Sequence, residues 1–149
     1  MAEELNDLLT DLQYEGRSSL GKNLKKSERY IQSFERELAK HIEIEEKMLF
    51  PFFESHVPRL ATALRLLEAE HEAFHSSFHK LKGELQKLTT AKSAADHAKL
   101  LHKIHETGTY LVCLLKHHMQ METGSLYRMI ERELKAGERK QLKRILQNA

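Results

Sequence analysis

From Leu60 onward, Leu60, Leu64, Leu67, His71, Phe74, Phe78, Leu81, Leu85 and Leu88 recur in alternating steps of three and four, apolar at every place but His71. A helix brings such positions onto one face, so this period constrains the fold more than any other feature. Pro58 stands at the start of the run and "LTTAKSAAD" follows its end, so both limits carry helix-breaking or helix-starting residues. A second helix is predicted from about Ala94 to about Leu134, with Leu101, Ile104, Leu111, Leu115, Leu126 and Met129 facing inward. Upstream, Ile31, Phe34, Leu38, Leu49 and Phe52 make a matching stripe that ends in the region of Pro51 and Pro58. Leu5, Leu8, Leu9 and Leu12 indicate a shorter helix at the N-terminus, with Gly16 and Gly21 offered as places to turn. The basic stretch 135–149, after Gly137, reads as a short surface helix. Two prolines and six glycines in 149 residues leave few interruptions. The expected fold is all-α, an antiparallel helical bundle, with residues 1–149 forming a single domain.

Composition narrows the function. Hydrophobic residues make up 40% of the chain and charged residues 31%, which supports a packed interior under a solvated surface. A net charge of +2 with both signs interspersed gives no field suited to nucleic acid or anionic lipid, so neither partner is expected. Cys113 is the single cysteine, which rules out an intrachain disulfide and suggests a reducing compartment. The opening "MAEELNDLLTDL" lacks the basic flank and apolar block of a signal peptide, and no apolar run reaches membrane-spanning length. Cytoplasmic residence is the expectation. Cys113 itself lies in "YLVCLL" and is expected to be a buried packing residue. Because that run is apolar all round, it also suggests a subunit contact.

Ten histidines are the one unusual feature of the composition, and they fall in a pattern. "LAKHIEIEEKMLF" and "LLKHHMQMETGSLY" superimpose so that His41 aligns with His118, Glu45 with Glu122, Leu49 with Leu126 and Phe50 with Tyr127. A step of four residues puts each His/Glu pair on one side of its helix, and each pair interrupts an apolar stripe. Burying a carboxylate or imidazole there costs several kcal/mol unless it finds a partner, and a bound cation is an effective one. His71 interrupts the stripe of a third helix, with His75 one turn further on and on a similar bearing. Imidazole with carboxylate suits iron, manganese or zinc, and without thiolate clusters iron–sulfur chemistry is not expected.

A lone core histidine usually just hydrogen-bonds a neighbour, but two repeated pairs joined by His71 favour metal binding. His117 points about 140 degrees from Glu122, and His56, His79, His97, His102 and His105 read as surface residues. Glu43 and Glu46 read as solvated charges or as acceptors that orient an imidazole. Ferritin-like centres need Glu-x-x-His on two helices, whereas "EAEH" and "EAFH" share one. The zinc-protease His-Glu-x-x-His is missing.

The segments "HIEIEEKMLFP", "LEAEHEAFH" and "HHMQMETGSLY" resemble the hemerythrin-like (HHE cation-binding) family in order, type and spacing over about residues 27 to 130. The resemblance implies an up-down four-helix bundle holding a non-haem di-iron centre, with carboxylates bridging the irons and histidines capping them. It places His41, Glu45, His71, His118 and Glu122 on the family's motif positions, and His75 on the second histidine of a His-x3-His. Zinc or manganese are expected substitutes for iron. The family usually supplies a histidine from its first helix, and no histidine precedes His41 here. A turn near Gly16 would leave His41 about 35 Å along its helix from that turn, while the preceding segment spans about 20 Å. A short or atypical first helix, and a site left open or completed by a partner, follow. A turn near Lys25 would instead bring Asp11, Tyr14 or Glu15 toward the metals.

Vacant coordination positions make a protein that binds or senses O2, NO or oxidants such as peroxide the leading expectation, with a homodimer covering the incomplete groove through the N-terminal leucines or the "YLVCLL" surface. Whether the chain is an enzyme is left open. The alternatives are an iron-handling or peroxide-reducing repair protein and a metal-free helical interaction module.

Overall fold

The computed structural model describes residues 2–14 and 20–147. Among them there is no strand, and the chain is an all-α helical bundle protein, as its periodicity requires. The helices are α1 (Ala2–Tyr14), α2 (Leu20–Ile44), α3 (Phe50–His56), α4 (Ala61–Thr90), α5 (Ala94–Met121), α6 (Tyr127–Glu133) and α7 (Ala136–Gln147). The first is short, 13 residues against 25, 30 and 28 for α2, α4 and α5. Gly21 and Lys25 lie inside α2, so neither is a turn, and Gly16 lies outside the described residues. At the C-terminus α7 buries no residue, although Leu142 and Ile145 pack partly against the core.

The sequence period did not anticipate two π-helical turns. Glu45–Leu49 joins α2 to α3 and Glu122–Leu126 joins α5 to α6. In each, a backbone N–H five residues on reaches the carbonyl of the glutamate, Phe50 to Glu45 and Tyr127 to Glu122. Their cause is visible in the burial pattern. Glu45, Leu49 and Phe53 are buried, as are His118, Glu122, Leu126 and Ile130. In an α-helix each step of four drifts about 40 degrees around the axis, so such a series would wind off the buried face. A wider turn holds it there. This corrects one expectation: Met129 was expected to face inward, but Ile130 does, and Met129 is exposed.

The chain divides into two compact units, Met1–Arg36 with Ala73–Lys116, and Glu37–Glu72 with His117–Ala149. The first is built on Leu5, Leu9 and Leu12 of α1, Ile31 and Phe34 of α2, Phe78, Leu81 and Leu85 of α4, and Ile104 and Leu111 of α5. Phe34 meets Phe78 edge to face at 5.7 Å. Lys82 reaches Glu35 at 2.7 Å, and the Tyr30 hydroxyl donates to Glu4 at 2.9 Å. Gly108 approaches α1 so closely that a Cβ there would lie 2.1 Å from Leu9 Cδ1. The Cys113 thiol is exposed, not buried, because the inward positions of "YLVCLL" fall to Leu111, Val112 and Leu115.

The second unit has its own core of Leu49, Phe50, Phe52, Phe53, Val57, Leu60, Leu64, Leu67, Leu126, Ile130 and Leu134. Pro51, which has no N–H to give, stands where the first π-helical turn passes into α3, and Arg59 pairs with Glu133 at the rim. Beside this apolar cluster, in the same unit, lie the acidic and imidazole side chains that interrupt the stripes.

Candidate metal centre

Five of the six residues expected to bind metal come together in the second unit. Glu45, His71 and His118 form one group and His41, Glu45 and Glu122 another, with the candidate ligand atoms in each within 4.8 Å of one another. Glu45 belongs to both. Its Oε1 lies 3.1 Å from His41 Nε2, and its Oε2 lies 3.4 Å from His71 Nε2. Glu122 repeats the arrangement, with Oε1 at 3.2 Å from His118 Nε2 and Oε2 at 3.9 Å from His41 Nε2. Each carboxylate therefore offers one oxygen to His41 and the other to the pair His71 and His118.

The two sides differ. His71 and His118 are buried, with their Nε2 atoms 3.3 Å apart. The His41 side chain is 52% exposed and stands at the rim, not inside the stripe. Behind the buried pair, His71 Nδ1 lies 2.7 Å from Glu46 Oε1 and His118 Nδ1 lies 2.8 Å from Glu70 Oε2. A proton held on each Nδ1 by these carboxylates leaves Nε2 as the nitrogen with a lone pair, the form that binds a metal. Phe50 stacks on His71 at 5.8 Å and 12 degrees, fixing the ring plane.

A cation fits the chemistry of this cluster. Glu45 Oε1 and Oε2 and Glu122 Oε1 are buried without a hydrogen-bond partner. The imidazole nitrogens close to them are near enough for ion pairing but are not aligned as hydrogen bonds. A buried carboxylate oxygen without a partner costs about 1–3 kcal/mol or more, and a metal ion removes that cost. Protons take the cation's part in the metal-free protein. Glu122 and Glu45 push His41 up to about 10. Burial lowers His118, yet Glu122 and Glu70 outweigh it and raise the ring. Burial likewise raises Glu122, but His118 and His41 hold it well below the usual carboxylate range.

The other expected residues separate cleanly. His75 is exposed and belongs to neither group. His117 is exposed and pairs with Glu70 Oε1 at 2.8 Å. Glu46 orients an imidazole, one of the two roles expected for it, while Glu43 pairs with Lys47 at 2.6 Å. Asp11 is exposed and in neither group, the Tyr14 side chain is not described, and Glu15 lies outside the described residues.

Two contributors were not read from the sequence. Glu70 buttresses His118, and its only signal is its place beside His71. Tyr127 is half-buried, and burial, with the charges of Glu122 and Glu45, raises its phenol above the ordinary range and keeps it neutral. It fills the place that Phe50 takes in the first repeat, so the repeat alignment did carry a signal for it.

A helical protein whose buried His/Glu cluster is suited to a cation belongs to the class of bundle metalloproteins. The family description "Hemerythrin HHE cation binding domain" matches residues 1–98, and the chain belongs to that family. The match includes the first His/Glu pair and His71, and ends before His118 and Glu122. Neither the curated proteins nor the solved structures returned a match.

Proposed function

We propose that the chain holds a dinuclear non-haem iron centre and uses it to bind or sense O2, NO or an oxidant such as peroxide. The observation that carries this reading is the sharing of Glu45 and Glu122 between His41 and the His71–His118 pair. On this reading His71 and His118, with Glu45 and Glu122, would hold one ion, and His41, with the same two glutamates, would hold the other. Iron bound there supplies reversible electron transfer and free coordination positions for a small ligand. Glu46 and Glu70 keep two imidazoles in register, and Phe50 screens His71 from water. The solvent-facing His41 side is the side of ligand entry. Zinc and manganese suit the same donors and are expected substitutes on heterologous expression.

The exposure of His41 also favours a second reading, iron handling or peroxide reduction, because a half-exposed ligand exchanges readily with water and chelators. Iron release to an acceptor, or turnover of peroxide, separates it from reversible binding. The reading extends to a homodimer through the "YLVCLL" surface, where Tyr110 and Cys113 are exposed, and light scattering at micromolar concentration tests it. Metal analysis of anaerobically purified protein tests the main reading, which expects about two iron atoms per chain. Metal-free protein under iron-replete, reducing conditions, with melting unchanged by chelator, would instead support a metal-free interaction module.

A further inference from the structure

Remote in sequence from the metal ligands, the first unit carries a hollow of about 460 Å³ where α4 ends and α5 begins. Four lysines line it from three segments: Lys87 on α4, Lys92 in the link, and Lys99 and Lys103 one turn apart on α5. The acidic residue on its wall, Asp96, is already committed to the start of α5. Its backbone N–H donates to Ser93 Oγ at 3.0 Å, and its carboxylate accepts from the Ser93 hydroxyl at 2.6 Å. Elsewhere lysines find carboxylates, as Lys47 and Lys82 do at 2.6 and 2.7 Å. None of these four has a carboxylate partner among the described residues. In a chain of net charge only +2, four ammonium groups against the single Asp96 carboxylate around one hollow are a local excess of positive charge that the composition hides. The N-terminal end of α5 adds its own positive partial charge.

We propose that this hollow is a binding site for a small molecule bearing several phosphate groups, such as a pyrophosphate or triphosphate ester. The hollow is open to solvent and its four lysines are exposed, which suits a highly charged, water-soluble ligand better than one that must be buried. The donors are lysines without an arginine fork, which suits several separate phosphate charges better than one planar carboxylate. Leu100, half-buried on the wall, gives the carbon portion of such an ester an apolar surface.

Inorganic tripolyphosphate titrated calorimetrically into the full chain at physiological salt is the probe. Saturable binding at one site per chain is expected, with inorganic phosphate and sulfate much weaker. The double variant Lys99→Gln/Lys103→Gln should raise Kd at least about tenfold, since it removes two charge-assisted contacts. Lys140→Gln/Lys143→Gln on the basic α7 should leave Kd unchanged. The absence of saturable binding would overturn the site. Equal weakening in both double variants would reduce it to general charge attraction, which also overturns it. So would undiminished binding in the Lys99/Lys103 variant, the result expected if the probe only chelated protein-bound metal. Vesicles containing phosphatidic acid supply the remaining arm: binding to them that tripolyphosphate fails to displace would assign the lysines to a membrane surface instead.

Discussion

His71 and His118 meet at their Nε2 atoms, 3.3 Å apart, and each ring is held from behind by a glutamate on another segment. The two glutamates are not equivalent. Glu46 is 41% exposed and serves one ring, whereas Glu70 is 19% exposed and serves both His118 and His117. Glu70→Ala should therefore weaken metal binding more than Glu46→Ala, by about 10- to 100-fold, in a chelator competition assay. A Glu46 variant weaker than the Glu70 variant would contradict this ranking.

Removing a shared carboxylate should affect both ions at once. Glu45→Ala or Glu122→Ala is expected to reduce metal content from about two ions per chain to one or none, because each glutamate faces both His41 and the buried pair. His75→Ala should leave the content unchanged, as the ring is exposed and outside both groups. Elemental analysis of the three variants decides it, and metal loss in the His75 variant would restore that residue as a ligand.

Metal-free protein should lose stability toward alkaline pH. His41 is pushed from 6.5 up to about 10, above its unfolded value, so its contribution is fully present below about pH 6.5 and is lost as pH rises through about 10. Glu122 acts in the opposite sense: its folded pKa is depressed, so its contribution is present above the unfolded value of 4.5 and is lost as pH falls through the folded one. Solvent at the half-exposed His41 ring screens part of the effect. Thermal melts after chelation should fall from pH 6.5 to 10, and less steeply in His41→Gln. Parent and variant with the same slope would contradict the assignment.

Two glycines in long helices should respond to alanine with opposite signs. At Gly83 a Cβ meets nothing within 4 Å, so Gly83→Ala should stabilise by up to about 1 kcal/mol through helix propensity alone. At Gly108 the same Cβ would press on Leu9, a buried side chain. Overpacking of about 1–3 kcal/mol there exceeds the propensity gain, so Gly108→Ala should lower the melting temperature. Thermal unfolding of both variants checks the pair.

The helices could be read from the steps of three and four because one apolar face decides each of them. Glu45, His71, His118 and Glu122 could be read because each breaks such a face, where a polar side chain is costly, while His41, at the rim, was legible only through its pairing with Glu45. His75 fits the same spacing but carries no burial signal, and spacing alone does not tell an inward bearing from an exposed one. Cys113 misled for a related reason: a run apolar all round does not mark which residue faces outward. Glu70 was hidden because it acts across helices on His118, a relation that no period within one helix encodes. The π-turns were written in the sequence as the successive fours His118, Glu122, Leu126 and Ile130, but an α-helical template assigned the last place to Met129.

Those wide turns also set where the chain tolerates a change of length. Deleting one residue from Glu122–Leu126 would let the helix close to α pitch while everything downstream keeps its bearing, because the wider turn accommodates one residue more than an α-helix needs. Ile130 would then take the place that the α-helical period gives to residue 129 and stay on the core that Leu126 and Leu134 share with α3 and α4. A deletion within the uninterrupted α4 has no such slack and would turn everything after it by about 100 degrees around the axis. The turn that follows each metal-facing glutamate is thus the place in its helix where a residue can be lost without turning the core residues after it off their face.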